Sequence, residues 1–177
     1  MKKVFAKMPL YLGLSVFVIS VLVSVVTVSN KNVVTNQLTQ ATVKSAKLSL
    51  VYNSPDLISV IVNSEKEIAG ADVVLKFDRE KIEIIPSSLI PGQDFSSTGG
   101  LIDENSGNFI FSVLSSGDSV MSGVMATFKI KPKEGVAGIE TNISFETADE
   151  QTAVISKLEN ENILFQADSL QFTLPAN

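Results

Sequence analysis

Between Ile68 and Asp78 the chain reads IAGADVVLKFD. At a period of two, Ala71, Val73, Leu75 and Phe77 share one face, and Asp72, Val74 and Lys76 share the other. Successive strand side chains point to opposite faces, so this pattern predicts a strand with one face on a core and the other mostly in water. Gly70 opens it, and the charged turn Asp78-Arg79-Glu80-Lys81 separates it from a second apolar run, Ile82–Ile85. Similar short runs recur at Lys47–Val51, Leu57–Val62, Phe109–Leu114, Val124–Ile130, Ile143–Thr147, Ala153–Ile155, Ile163–Phe165 and Leu170–Leu174. Turn-forming residues separate them, among them Asn105-Ser106-Gly107-Asn108 and Lys131-Pro132-Lys133-Glu134-Gly135. No stretch beyond residue 46 keeps an i, i+3, i+4 apolar stripe for three turns. Eight to ten short strands in about 130 residues predict an all-β sandwich of jelly-roll type. Phe77, Phe111, Phe128, Phe145 and Phe172 each fall on a predicted strand and are expected to dominate its core. The alternation of Leu170, Phe172 and Leu174 predicts a last strand that closes the domain.

The N-terminal part follows a different rule. Leu10–Val28 is 19 residues without a charge. As a helix rising 1.5 Å per residue it spans roughly 28 Å, the thickness of a hydrocarbon core. Its Val and Ile favour strand in water, but in lipid the backbone must satisfy its own hydrogen bonds, and helix wins. Lys2, Lys3 and Lys7 precede the span and only Lys31 follows closely, which predicts a cytoplasmic N-terminus and an outer domain. The expectation is therefore a single-pass cell-membrane protein, with residues 1–9 inside and 10–28 as the transmembrane anchor. A cleaved signal peptide, and hence secretion, is the alternative. Against it, the apolar core is long for a signal and no A-x-A site follows it. Residues 29–45 hold ten Ser, Thr, Asn or Gln with no Pro or Gly, and read as a polar linker with a reach of about 20–25 Å. The sandwich domain is expected over 46–177.

Composition narrows the chemistry. The chain has no Cys, His or Trp. Disulfides, thiol nucleophiles, zinc–thiolate sites and the commonest general base are thereby removed. Three of the 14 basic residues lie before residue 29, leaving 11 against 19 acidic residues, a net of −8 for the outer part. Such a surface repels phosphate backbones, so nucleic acid is not an expected partner. Three acidic groupings invite attention: Asp103-Glu104-Asn105-Ser106-Gly107, Glu146 with Asp149 and Glu150, and Glu159 with Glu161. The first lacks the alternating oxygens and terminal Glu of a calcium loop, and the others read as solvated loop acids. No catalytic residue, metal site or cofactor is assigned, and an enzyme is not expected. Asn142-Ile143-Ser144 is a glycosylation sequon inside a predicted strand.

The segment KEIAGADVVLKFDREKIEII, from Lys66 to Ile85, resembles the third-strand signature of cohesin modules, the receptor modules of cellulosomes and related bacterial surface assemblies. Pro86–Gly92 resembles the loop that leads to the family's "p-G" turn. Asn105–Phe111 resembles its "n-G-x-i-x-f" strand entry, and Ser122–Ile130 its "x-G-x-x-A-x-i-x-f-k-v" strand. The likeness covers roughly residues 47–174. It implies a jelly roll of about nine strands that recognises a dockerin, a small helical module which itself carries calcium. In that family one sheet face meets the dockerin, and an Asn-x-Asp pair at the start of the third strand supplies hydrogen bonds. The Asp position is Asp72 here, and Gly70 stands at the Asn position. The outward residues of the two clearest strands, Asp72, Val74 and Lys76 with Met125, Thr127 and Lys129, are the expected partner-binding residues if those strands are neighbours. That mixed surface suits a protein partner. A carbohydrate-binding module on the same sandwich, holding polysaccharide, is the alternative, although stacking aromatics are scarce, with Tyr11 and Tyr52 the only tyrosines. A purely structural cell-surface sandwich is a further one.

Full-length protein expressed in a bacterial host should fractionate with membranes, resist high salt and carbonate, and expose its domain to external protease. Recovery of a soluble mature form that begins near residue 30 would replace the anchor with a signal peptide.

Overall fold

Alternating apolar residues can be buried only by stacking one sheet on another, and the chain builds two sheets for that purpose. The computed structural model describes residues 43–175, except 54 and 118. The expected cytoplasmic N-terminus, the anchor over Leu10–Val28 and most of the linker lie outside the described residues. Among the described residues no helix is long and apolar enough to cross a membrane.

The strands are β1 (Ala46–Asn53), β2 (Leu57–Ser64), β3 (Ile68–Phe77), β4 (Ile82–Pro91), β5 (Phe95–Ile102), β6 (Phe109–Ser115), β7 (Ser122–Pro132), β8 (Glu140–Phe145), β9 (Ala153–Ser156), β10 (Leu164–Asp168) and β11 (Leu170–Thr173). One sheet has the order β10-β1-β2-β7-β4, the other β11-β8-β3-β6-β5, with β9 also paired to β3. All pairings are antiparallel except β1 with β10, which is parallel. The all-β sandwich is as expected, with eleven strands among the described residues where about nine were anticipated. The strand that coincides with none of the apolar runs is β5, FSSTGGLI, which has almost no apolar alternation. Its composition answers to packing: a Cβ on Gly100 would lie 2.5 Å from the Phe109 ring.

Phe111, Phe128, Phe145 and Phe172 are buried as expected, whereas Phe77 is only half-buried. Phe109, fully buried, sits 5.1 Å from Phe128 on the opposite sheet and 5.5 Å from Phe111. Among the described residues, the core cluster runs from Ala46 to Leu174.

Two interruptions break the simple alternation. β4 continues to Pro91, through residues that read as a loop, because its pairing with β7 shifts register between Ile85 and Ile90. There the Ser88 hydroxyl donates to the Ile85 carbonyl at 2.6 Å and accepts from the Lys129 amide at 2.7 Å, standing in for ladder bonds. In β7, Val60 pairs with Ala126 and Ile61 with Val124, so Met125 is the extra residue of a bulge. Met125 and Ala126 are consequently both fully buried, while Val124 is exposed.

Three substitutions test this packing by urea unfolding of residues 43–177. Phe128→Ala should cost about 3–5 kcal/mol. Met125→Lys should prevent stable folding, whereas Val124→Lys should change stability by less than about 1 kcal/mol. The reverse order for the last pair would mean that β7 runs without its bulge.

Candidate functional site

The two strands expected to form one binding patch lie in different sheets. Asp72, Val74 and Lys76 belong to β3, and Met125 and Thr127 to β7 in the opposite sheet. The joint patch therefore does not exist. Met125 is corrected to a core residue by the bulge, and Thr127 is half-buried on the far sheet, paired between Ser59 and Ile90. Lys129 on the same strand pairs with Asp56 at 3.4 Å.

Val74 is also corrected. It is 7% exposed although it lies outside the main core cluster. The backbone leaves β8 and returns as β9 beside it, and that excursion ties itself to the Val74 backbone. The Glu146 amide donates to the Val74 carbonyl at 2.8 Å, and the Thr152 hydroxyl accepts from the Val74 amide at 3.1 Å. The excursion holds one 3-10 turn, Ala148–Glu150, with Asp149 and Glu150 in the left-handed region at φ 51° and 56°. Such backbone costs free energy and persists where surroundings impose it, here at the rim of the β3 surface.

What remains of the expected set is Asp72 and Lys76, both exposed. The Ser112 hydroxyl of β6 donates to Asp72 Oδ1 at 2.6 Å, directly across the ladder. Lys76 forms an ion pair with Glu146, which is mostly buried. The same outward face carries apolar residues that the pattern of β3 and β7 does not reveal. The registers place Gly70 beside Leu114 and Leu114 beside Ser96, then Val74 beside Ile110 and Ile110 beside Leu101. Leu114 is 59% exposed and Leu101 55%. A sequence signal exists for two of them: in Phe109–Leu114 the inward Phe109, Phe111 and Val113 leave Ile110 and Leu114 on the solvent phase. Leu101 has none, because β5 lacks the alternation that marks a strand. The result is a sheet surface with a fixed carboxylate between exposed apolar residues.

The acidic loops are accounted for locally. Asp103 accepts from the Asn105 and Ser106 amides and the Ser106 hydroxyl, and the Ser106 bonds hold its carboxyl below the usual range. Glu159 is held low chiefly by its bond from Lys66, then by Ser156. No group of acidic residues among those described could hold a metal ion.

Gly70 is where β3 comes closest to its neighbour. A Cβ there would lie 2.5 Å from the Val113 carbonyl oxygen and 3.1 Å from Leu114 Cδ2. The position at which the resembled family has Asn thus has no room for a side chain, and the directional donor and acceptor of a carboxamide are missing from this face.

No family model matches the sequence, and no curated protein matches it. Solved structures do match the fold. The seventh ScaB type I cohesin of Pseudobacteroides cellulosolvens superposes with a TM-score of 0.58 at 14% identity, covering 75% of this chain and 94% of that one. A type I cohesin–dockerin complex from Clostridium thermocellum matches with a TM-score of 0.55 at 13% identity, over 74% and 94%. A type II cohesin domain from the cellulosome of Acetivibrio cellulolyticus matches at 0.53 and 14%, over 72% and 95%. The described domain has the cohesin fold.

Gly70→Asn should destabilise the domain by about 1–3 kcal/mol in urea unfolding, because the β3 and β6 backbones must separate. Unchanged stability would show that the approach at Gly70 is slack.

Proposed function

We propose that this protein is a non-catalytic receptor: a membrane-anchored, extracytoplasmic cohesin-like module that docks a dockerin-type protein on the outer face of the sheet containing β3. The observation that carries the reading is the juxtaposition of Asp72, fixed by Ser112, with the exposed Leu114 and Leu101 on one sheet face. Apolar side chains in water gain by being covered, at roughly 25 cal/mol per Å². A carboxylate held by one bond keeps acceptor capacity for a donor from outside. Together they suit a partner surface that brings apolar residues around one hydroxyl, amide or cationic donor. Solved cohesins with this fold are described in complex with dockerins, which supports that class of partner here. The anchor and the outward placement rest on the uncharged 10–28 span and the lysines before it.

The closed position at Gly70 gives the docking a different balance from that implied by the resemblance. With the carboxamide gone, apolar contact supplies more of the affinity and Asp72 supplies direction. The polysaccharide alternative needs a platform of exposed rings. Among the described residues Phe165 is the only exposed large aromatic, and Tyr52 is stacked on Phe172 at 4.6 Å.

Residues 43–177 titrated with candidate dockerins in calcium test the reading. Asp72→Arg should weaken binding by about 2–5 kcal/mol, since it leaves a partner donor unpaired and adds repulsion. Leu114→Ala should cost about 1.5–3 kcal/mol if the leucine is covered. Thr127→Arg, on the opposite sheet, should leave affinity unchanged. Equal losses from Asp72→Arg and Thr127→Arg would reduce the interaction to diffuse attraction. Failure of every candidate, with retention on insoluble polysaccharide, would favour the carbohydrate reading.

A further inference from the structure

Where β3 turns into β4 there is a cleft of about 300 Å³. That volume lies at the lower end of cavities that hold small molecules. Its apolar surface is made by the half-buried Phe77, Pro86 and Ile102, backed by the fully buried Ile82 and Ile84. Its charged rim has two cations, Arg79 and Lys133, and one carboxylate, Glu83.

The cations are out of keeping with the rest of the domain. The outer part carries a net −8, and Arg79 is the only arginine in the sequence. The lysines 44, 47, 66, 76, 81 and 129 each have a carboxylate partner. Arg79 and Lys133, like Lys131, form no ion pair among the described residues. The backbone amide of Lys133 donates to the Lys81 carbonyl at 2.8 Å, and its side chain is exposed. Arg79 lies across the β5–β6 turn at Gly107, where a Cβ would come within 2.6 Å of Nη1 and 2.9 Å of Cδ. Gly107 has φ +73°, which suits glycine, and its lack of a side chain leaves the space the arginine occupies.

We propose that this cleft binds a monocarboxylate with a short branched or aromatic apolar group. The apolar group would rest on the half-buried Phe77, Pro86 and Ile102, and the carboxylate would meet the planar guanidinium of Arg79, with Lys133 on the same rim. Guanidinium matches a carboxylate through two parallel N–H···O bonds, and the second cation outweighs Glu83 to leave the rim positive. The shared chemistry has two sources, a free small acid or the C-terminal carboxylate of a polypeptide that ends in an apolar residue.

The test is an amide-resonance titration of residues 43–177, which contain the core cluster. 4-Methylpentanoate is compared with 4-methylpentanamide, and N-acetyl-leucine with N-acetyl-leucinamide. The expected result is saturable shifts confined to Phe77, Arg79, Glu83, Ile84, Ile102 and Lys133, with the amides at least about tenfold weaker. Arg79→Gln should weaken the acids about tenfold, and Lys133→Gln severalfold, while resonances far from the cleft keep their positions. Response to 4-methylpentanoate alone would assign a free acid, and response to N-acetyl-leucine as well would assign a polypeptide C-terminus. Equal affinity for acid and amide, no saturable shift, or undiminished binding in both variants would overturn the proposal. Asp72→Arg should leave the titration unchanged, so its outcome is independent of dockerin binding.

Discussion

The contact between Phe109 and Phe128 is the constraint on which the rest of the structure depends. One ring comes from β6 and the other from β7, so their 5.1 Å approach joins the two sheets. Once these rings are inside, the period of two decides what else each strand can show to water. On β6 it turns Phe111 and Val113 inward and leaves Ile110, Ser112 and Leu114 outward. The same contact asks for space behind Phe109, and Gly100 leaves it. A strand as polar as β5 is tolerated because it lies at a sheet edge and closes over those rings.

The outer β3 surface is made where that regularity is kept, and its limits are set where it fails. β3 and β6 pair in unbroken register from Gly70–Leu114 to Leu75–Phe109, so Asp72 and Ser112 meet across the ladder. On the other edge of β3 the neighbour is interrupted between β8 and β9. The intervening excursion takes the Val74 backbone groups and sets Glu146 against Lys76. One side of the surface is thus a plain sheet with apolar anchors, and the other is a strained, acidic rim.

Charge separates the two candidate binding regions. On the β3 surface Lys76 is already engaged by Glu146, which leaves Asp72 as the directing charge and favours a donor from the partner. At the cleft between β3 and β4 the sign is reversed, with Arg79 and Lys133 uncommitted among the described residues. The two regions therefore differ in the sign of the charge they present.

By itself the sequence determined the all-β class, the position and facing of β3, the burial of Phe111, Phe128, Phe145 and Phe172, and the likeness to cohesins. These follow from local alternation, which a strand carries in its own residues whatever it packs against. Asp72 and Lys76 were legible as solvent-facing for the same reason. Tertiary structure alone decided which strands are neighbours, and so that β3 and β7 face opposite ways out of the sandwich. It also placed Met125 inside, because a bulge inserts one residue and reverses the phase of what precedes it. Leu101 became part of a surface only when an unpatterned, glycine-containing strand was drawn in by the rings beneath it. Gly70 reads as a missing hydrogen-bonding group in one dimension. In three it is where two backbones approach too closely for any side chain, a property of the pair of strands that neither strand's residues contain.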